Sequence, residues 1–327
     1  MRAANPEWDF MSRTYTVLSL ANMALRDPSY KRTACKVMDT IIDDTLRLER
    51  KHSFYYFMLP YGREGHWTVN PPRSIFVDGE IAMMLASRRM VEEKPAYKPL
   101  LQNRISNMTV QMSKSPVLSA ESYPNECWLF CNTIALASIR MADVLDGTDH
   151  SEFLASWLRL AKAKLIDRKT GILISAFSVN GQPAECGFGA EGSSIWMACN
   201  MLQIVDDDFA HQQYRLAKKA LSANVLRFGY AREWPRGNNG SLDIDSGPIA
   251  PLLNISPSST GLAAIGAAAF DDDDYFRGIF ASIEIGALPV KHDGQLRYCA
   301  SNQVGDAVIL YAMTEGPLWN AVLARLH

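Results

Sequence analysis

The sequence is short of the features that mark several large functional classes. Among 327 residues there are only six cysteines and six histidines, and no CxxC, HxxxH or HExxH motif brings such residues together. A disulfide scaffold or a clustered zinc site is therefore not predicted. Glycine-rich phosphate-binding fingerprints are also absent, so the sequence predicts no nucleotide, flavin or metal cofactor.

Charge and hydropathy argue against two classes of partner. Thirty-three Lys and Arg against 35 Asp and Glu give a net charge of −2, without the basic excess that a phosphate backbone requires. One of the longest uncharged runs, residues 247–270, is broken by Pro, Ser, Asn and Gly. The N-terminal segment has no apolar core of a secretory signal. We expect a cytoplasmic protein with a small-molecule substrate, no nucleic-acid partner and no membrane insertion, and homo-oligomerisation is left open.

Similar segments recur along the chain and indicate a repeat. Each has a polar or acidic turn with side chains suited to capping, then an aromatic residue, then an amphipathic helix. The marker aromatics, spaced by 67, 56, 56 and 67 residues, are Tyr30, Tyr97, Phe153, Phe209 and Phe276.

A second kind of helix lies between these markers. It is poorer in charge and richer in Ala, Gly, Ser and Met, as in DGEIAMMLASRRM and SSIWMACNMLQIV. Small residues allow such helices to pack closely. About six pairs of one polar-faced and one apolar helix predict an all-α, (α/α)6 toroid that forms a single domain over residues 1–327.

The connections between the two kinds of helix point to the functional end. Those that lead from an outer to an inner helix are long and rich in Gly, Pro and Trp, so they should emerge together at one end of the barrel. Short β-hairpins are predicted within them, with turns at Asn180–Gly181 and Asp293–Gly294.

Acidic and aromatic side chains are concentrated on this predicted rim, a composition typical of a pocket that handles an apolar ligand by proton transfer. The expected acid–base groups are Asp78, Cys127, Cys186, Tyr230, Glu233 and Asp245. The expected substrate-binding residues are His66, Trp67, Tyr123, Trp128, Cys131, Phe188, Trp234 and Asn302. Further acids on the same rim are Glu80, Glu126, Glu191, Asp243 and Asp306.

Several of these residues have structural alternatives. Asp78 could cap a helix that begins at Gly79, and Asn302 could bond loop backbone. Glu233 could pair with one of its arginine neighbours. Cys127 follows Tyr-Pro-Asn-Glu, which predicts a place in the first turn of a helix, where the helix dipole lowers the pKa of a thiol.

Three segments carry a resemblance to a known family. YPNECWLFCNTIALASIR, FGYAREWP followed by DIDSGP, and ASNQVGDAVILYA resemble the linalool dehydratase/isomerase family. The resemblance implies an (α/α)6 barrel with a cofactor-free pocket near its axis, where cysteine, tyrosine and carboxylate side chains move protons on an apolar alcohol. It implies roles for Tyr230 and Trp234, for Cys127 or Cys131, and for Cys186. The family's founding activity also uses an inner-helix histidine, which the inner helices predicted here do not have.

Three hypotheses for function follow. The first, favoured by the resemblance, is a cofactor-independent lyase, isomerase or cyclase that acts on an apolar, terpenoid-like or polyketide-like molecule. The second is a carbohydrate-active (α/α)6 enzyme, such as a glycoside hydrolase, epimerase or polysaccharide lyase, and the third is a helical scaffold that binds a peptide. Opposed carboxylates across an open polar groove would support glycoside hydrolysis, whereas a closed apolar site with thiols would support the lyase.

Overall fold

The computed structural model describes residues 2–184, 189–237, 240–241, 246–251 and 253–326. Twelve α-helices occur in this part of the chain, and they alternate between two layers. The odd-numbered helices are α1 (Pro6–Arg26), α3 (Ile75–Val91), α5 (Leu129–Asp146), α7 (Gly192–Leu202), α9 (Pro257–Ala269) and α11 (Gln303–Thr314). The even-numbered helices are α2 (Lys31–His52), α4 (Lys98–Met112), α6 (Ser151–Lys164), α8 (Asp207–Leu221), α10 (Asp273–Gly286) and α12 (Pro317–Leu323).

The odd-numbered helices form a closed inner ring. Each contacts the next, and α11 packs against α1 to complete the circle. This arrangement confirms the predicted (α/α)6 barrel. Small residues make the close approach possible: a Cβ added to Gly79 in α3 would lie 3.4 Å from the backbone nitrogen of Ala135 in α5.

The two layers differ in the way the sequence predicts. Every residue of α3 is buried, because an inner helix is covered both by its ring neighbours and by outer helices. Helices α2 and α8 instead bury one apolar stripe and expose charged residues on the other side. The buried aromatic that marks α10 is Tyr275, three residues after the capping Asp272, so the repeat marker Phe276 was placed one residue too late.

The connections at the two ends of the barrel differ greatly in length. Turns from inner to outer helices are short, whereas the loops from outer to inner helices span residues 53–74, 113–128, 165–191, 222–256 and 287–302. All of the long loops therefore reach the N-terminal ends of the inner helices. The prediction of one functional rim agrees with this layout.

Three antiparallel strand pairs lie in the described parts of these loops. They are β1 (Cys127–Trp128) with β2 (Ala176–Phe177), β3 (Ser222–Val225) with β4 (Phe228–Ala231), and β5 (Pro289–His292) with β6 (Gln295–Tyr298). The Asp293–Gly294 hairpin is confirmed, and the turn at Gly181 is present although β2 pairs mainly with β1. The β3–β4 hairpin was missed because its turn uses Leu226 at φ 56° instead of an Asn-Gly pair.

The last helix departs from the simple alternation. Helix α12 contacts α1 and α3, and the indole nitrogen of Trp319 donates to the backbone oxygen of Asn200 in α7 at 3.0 Å. Reaching three inner helices, α12 lies across the short-turn end of the barrel. The long loops lie at the opposite end. No described helix has the length and apolar character needed to cross a bilayer.

Ring closure predicts that the chain unfolds as one unit. Because α1 and α11 must pack together to complete the barrel, neither half can keep its core alone. Heat or urea should give a single transition that coincides by circular dichroism and by tryptophan fluorescence. Limited proteolysis that releases a stable, helical half of the chain would contradict the expectation of one domain.

Candidate active site

A group of polar side chains lies inside the ring of inner helices, below the long-loop end. Thr14 and Tyr15 come from α1, Glu80 from the second turn of α3, and Cys131 from the first turn of α5. All four are buried. We call these four residues the axial cluster.

Glu80 is the most unusual member of the axial cluster. Its side chain is 2% exposed, and its Oε2 atom has no hydrogen-bonding partner. Burial raises the pKa of Glu80 to about 8, and the nearby Thr14 hydroxyl only partly opposes this shift. The carboxyl group is therefore protonated at neutral pH and has a proton to give.

Tyr15 faces the same place from α1. Burial is the main cause that raises its pKa, followed by the charges of Glu80 and Cys131, so all three groups lie near one another. The hydroxyls of Tyr15 and Thr14 make no hydrogen bond of normal geometry. Of five buried side-chain polar atoms that lack a partner in the described chain, three belong to Thr14, Tyr15 and Glu80. Buried polar groups are rarely left unpaired, so this concentration indicates a place where the polar group of a ligand would bind.

Cys131 completes the axial cluster. Burial raises the pKa of its thiol, the Ser122 hydroxyl hydrogen-bonds to it and opposes the shift, and the carboxylates of Glu80 and Glu7 raise the pKa further. The thiol is therefore protonated at neutral pH. It can donate a hydrogen bond, but it is not a resting thiolate nucleophile.

An aromatic layer lies above the axial cluster. The Tyr123 hydroxyl donates to Glu7 Oε1 at 2.5 Å and accepts from the backbone nitrogen of Leu59 at 2.8 Å. The Tyr61 ring stacks on Tyr123 with ring centroids 4.7 Å apart. The structure thus brings Tyr123 and Cys131, both predicted to contact substrate, to the same end of the barrel.

Trp128 belongs to the same layer. Its indole nitrogen and the Tyr61 hydroxyl each donate to Glu126 Oε2 at 3.1 Å. The Trp128 side chain is half-buried, and the residue directly precedes α5. Its position beside the rim is compatible with the predicted contact to substrate.

Asp78 points away from the axis. Its carboxylate accepts from Arg73 Nε at 2.6 Å and from Arg104 Nη1 of α4 at 2.5 Å. Residues two positions apart on a helix face nearly opposite sides, so Asp78 faces the outer layer while Glu80 faces the ring. The capping alternative does not hold either, since Ser74 caps α3.

The prediction that Cys127 lies in the first turn of a helix was wrong. The residue lies in β1, and helix α5 begins only at Leu129, so no helix dipole acts on its thiol from a first-turn position. It is fully buried, and burial followed by the Glu121 charge raises its pKa instead of lowering it. Helix α5 begins further along the chain than predicted, because Trp128 has an extended backbone and pairs with β2.

Glu233 joins two inner helices. It accepts from the backbone nitrogen and the hydroxyl of Ser193 in α7, and from the hydroxyl of Ser256, which caps α9. Burial raises the pKa of Glu233. The structural alternative, in which Glu233 pairs with a neighbouring arginine, was therefore wrong. The carboxyl group is hydrogen-bonded to Ser193 and Ser256 instead. The neighbouring Tyr230 is buried in β4, where its backbone oxygen accepts from Tyr275.

The other predicted residues are spread around the rim. His66 is exposed, and the Trp67 indole donates to the Tyr55 hydroxyl at 3.1 Å. The Trp234 indole donates to the backbone oxygen of Ser241. Asn302 caps α11, because its side chain accepts from the backbone nitrogen of Gly305; the structural alternative had the bond on loop backbone, and it lies within the helix instead. Four predicted residues lie outside the described part of the chain: Cys186, Phe188, Asp243 and Asp245.

Sequence reasoning missed the contribution of α1. Thr14, Tyr15 and Glu7 precede the first recognised repeat, so no pattern assigned that segment to the inner ring. Glu80 was on the rim, and a helical-wheel comparison with Asp78 could have selected it.

Comparison with known families gives a direct match. The family described as linalool dehydratase/isomerase matches residues 94–304, which is most of the chain. The chain belongs to the linalool dehydratase/isomerase family. This confirms the resemblance seen in the sequence and makes the protein a member of an enzyme family. Tyr123, Trp128 and Cys131 lie within the matched residues, whereas Tyr15 and Glu80 precede them.

Two solved structures with a similar fold are described as glycoside hydrolase family members. A possible member of the GH105 family from Salmonella enterica is 15% identical, with a TM-score of 0.58 over 93% of this chain and 82% of that chain. A GH76 α-mannanase from Bacteroides thetaiotaomicron is 11% identical, with a TM-score of 0.51 over 96% and 87%. At such identities the similarity shows the fold alone. No curated protein matches the chain. Within the described ranges, no three His, Cys, Asp or Glu side chains come together in a way that could hold a metal ion.

The ion pairs of Asp78 lead to a stability prediction. Asp78→Asn removes the carboxylate that Arg73 and the buried Arg104 share and leaves Arg104 with Glu49 alone, so the free energy of unfolding should fall by about 2 kcal/mol. Urea denaturation of this variant and of Asp306→Asn, an exposed control, measures the change. A loss below about 1 kcal/mol would show that the pairs do not stabilise the fold.

The raised pKa of Glu80 leads to a pH prediction. The ordinary value of 4.5 applies in the unfolded chain, so the folded protein should lose stability as the pH rises from 4.5 to about 8. Glu80→Gln cannot ionise and should remove this loss, which makes the variant the more stable protein at pH 9. Denaturation midpoints at pH 6 and pH 9, with the exposed Glu284→Gln as control, test this. Equal pH dependence in all three proteins would refute it.

Proposed function

We propose that the protein is a cofactor-independent lyase, isomerase or cyclase that uses acid–base chemistry on an apolar, terpenoid-like or polyketide-like alcohol. Family membership supports the reaction class. One structural observation carries the assignment to a site: a protonated carboxyl group with an unpaired oxygen lies in the barrel axis beside a tyrosine and a thiol.

Glu80 is the proposed proton donor. It protonates the substrate hydroxyl, the carbon–oxygen bond breaks with its electron pair leaving on oxygen, and water departs. The Glu80 carboxylate then removes a proton from the carbon next to the cationic centre, which forms the alkene and restores the acid. Return of water to another carbon of an allylic cation, with loss of a proton to the Glu80 carboxylate, gives isomerisation. Attack by a second double bond, followed by loss of a proton to the same carboxylate, gives cyclisation.

Tyr15 and Cys131 surround the departing oxygen in this scheme. Both have raised pKa values and remain protonated at neutral pH, so neither is the resting base. As neutral hydrogen-bonding groups they can hold the hydroxyl in line with Glu80. Thr14 offers a third contact from the same helix as Tyr15.

The surroundings suit an apolar substrate with a developing positive charge. Phe76 lies one helical turn before Glu80, and Phe10 one turn before Thr14, so both belong to the layer above the axial cluster. The Phe10 ring stacks on Phe57 at 4.2 Å and meets Phe76 edge-on at 5.3 Å. Such rings exclude water and stabilise a cation.

The carbohydrate hypothesis has less support. A sugar presents many hydroxyl groups, whereas the axial cluster offers a few unpaired polar atoms beside aromatic rings. Glu80 is fully buried instead of lining an open groove opposite a second carboxylate.

Compartment and assembly remain part of the proposal. We propose a cytoplasmic enzyme that acts on a small molecule, without nucleic-acid partners, metal or organic cofactor, and that can form homo-oligomers. The near-neutral net charge of −2 supports the view on nucleic acids.

Turnover of an apolar alcohol tests the function. Metal-free protein should convert linalool or a related branched alcohol into an alkene or an isomer, detected by gas chromatography with mass spectrometry. Glu80→Gln should lower kcat by about 10²–10⁴, the range for loss of a general acid, and Cys131→Ala should lower it less. The matched control is Cys199→Ala, another buried inner-helix thiol, which lies near Tyr214 of α8 instead of the axis.

Two results would contradict the proposal. Full turnover by Glu80→Gln would remove the carboxyl group from the reaction. Hydrolysis of a glycoside by the wild type, without turnover of any alcohol, would favour the carbohydrate hypothesis.

A further inference from the structure

One buried carboxyl group joins two of the long loops above the axial cluster. Glu121 is 2% exposed, and its Oε1 atom accepts from the backbone nitrogens of Thr68 at 2.9 Å and Asn125 at 2.7 Å. Its Oε2 atom accepts from the backbone nitrogen of Val69 at 2.9 Å. A single side chain therefore holds the loop before α3 against the loop before α5.

The bond to Asn125 fixes a tight turn. Asn125 has a φ of 60°, a left-handed conformation that is uncommon outside glycine. On either side of it, the backbone nitrogen of Tyr123 donates to the Glu126 oxygen at 3.2 Å, and the Glu126 nitrogen donates to the Tyr123 oxygen at 2.9 Å. The turn thus sets where the side chains of Tyr123 and Glu126 leave the backbone.

These two side chains hold the aromatic layer together. The Tyr123 hydroxyl donates to Glu7 of α1, and the Tyr61 ring stacks on the Tyr123 ring. Glu126 accepts from the Tyr61 hydroxyl and from the Trp128 indole. Displacing the turn would therefore move all three rings of the layer.

The aromatic layer lies between the axial cluster and the solvent at the long-loop end. Ser122, next to Tyr123 in the chain, hydrogen-bonds to the thiol of Cys131 in the cluster. Cys131 is 7% exposed and Tyr123 is 3% exposed, whereas Tyr61 is 41% exposed. Water that enters from this end has to pass the layer before it reaches the cluster.

We propose that Glu121 is a positioning residue that holds the aromatic layer closed over the axial cluster and so determines which water captures the substrate cation. This inference rests on the proposed function, in which water returns to that cation. With the layer closed, the oxygen of the departed water forms the new carbon–oxygen bond, and a proton passes to the Glu80 carboxylate. With the layer open, water from the solvent adds in its place, with the same proton transfer.

Three variants separate this role from general loosening of the fold. In Glu121→Gln an amide nitrogen replaces one carboxyl oxygen and meets a backbone N–H, so at least one of the three hydrogen bonds is lost. Tyr61→Ala removes the exposed ring of the layer and leaves Glu121 unchanged. The matched control is Asp143→Asn, because Asp143 is also buried and accepts from the backbone nitrogen of His150 at 3.0 Å, but at the short-turn end.

Turnover in water enriched in the heavy oxygen isotope measures which water is captured. Early in the reaction, the alcohol isomer that wild type releases should keep its original oxygen. Glu121→Gln and Tyr61→Ala should raise the share of products that carry heavy oxygen by about fivefold, the change in an opening equilibrium expected for one lost hydrogen bond. Asp143→Asn should keep the wild-type share, and partial unfolding of a variant does not alter a ratio of products. A wild type that already takes its oxygen from the solvent, or an unchanged share in Glu121→Gln, would overturn the inference.

Thiol labelling tests closure of the layer without turnover. Iodoacetamide has to pass the layer to reach Cys131, whereas Cys199 is a buried thiol of α7. Peptide mass spectrometry gives the ratio of the two alkylation rates, Cys131 over Cys199, which should rise about fivefold in Glu121→Gln and Tyr61→Ala and stay at the wild-type value in Asp143→Asn. Such a rise supports the closing role even if wild type turns over no alcohol, a result that would count against the proposed function alone. An unchanged ratio in Glu121→Gln, or an equal rise in Asp143→Asn, overturns the role of Glu121.

Discussion

The contact between α1 and α11 is the interaction on which the rest of the structure depends. It closes the ring of inner helices and places Tyr15 of the first helix against Tyr311 of the last inner one. Closure also removes the space between Tyr15 and Glu80 from bulk water. An open solenoid of the same helices would leave Glu80 solvated and ionised, so the chemistry of the site is a consequence of topology.

Burial inside that ring explains why a carboxyl group can act as an acid here. Glu80 lacks the arginines that hold Asp78 two residues earlier, and desolvation therefore decides its protonation. The inner helices contain no histidine, so a neutral glutamic acid is the group of the axial cluster best able to give a proton near neutral pH. The same raised pKa makes the folded protein less stable at high pH, where Glu80 must ionise while buried.

The fold could be predicted from the sequence because it depends on patterns that repeat. Capped outer helices with an aromatic such as Phe209, and inner helices rich in small residues such as Gly79, each recur often enough to reveal the barrel. Helix α1 and the short α12 have weaker patterns, and they were recognised only in the structure. The ends of the repeat are also where the chain closes on itself.

The site was harder to predict because its chemistry depends on facing and not on residue type. Asp78 and Glu80 are both acids that the sequence places on the rim. Asp78 forms ion pairs with Arg73 and Arg104, whereas Glu80 is buried inside the ring of inner helices. Cys127 and Cys131 are likewise only four residues apart, but Cys127 lies in β1, whereas Cys131 lies in the first turn of α5 beside Glu80. Helix α1 enters the site because the ring of inner helices closes through its contact with α11, and no local sequence pattern indicates that contact.

Titration of Glu80 itself tests the account most directly. Infrared difference spectra between wild type and Glu80→Gln, collected from pH 5 to pH 10, follow the carbonyl band of its protonated carboxyl group. The account predicts that this band persists at neutral pH and disappears with a midpoint at about 8. A carboxylate already ionised at pH 6 would contradict the account, because Glu80 could not then be the resting acid.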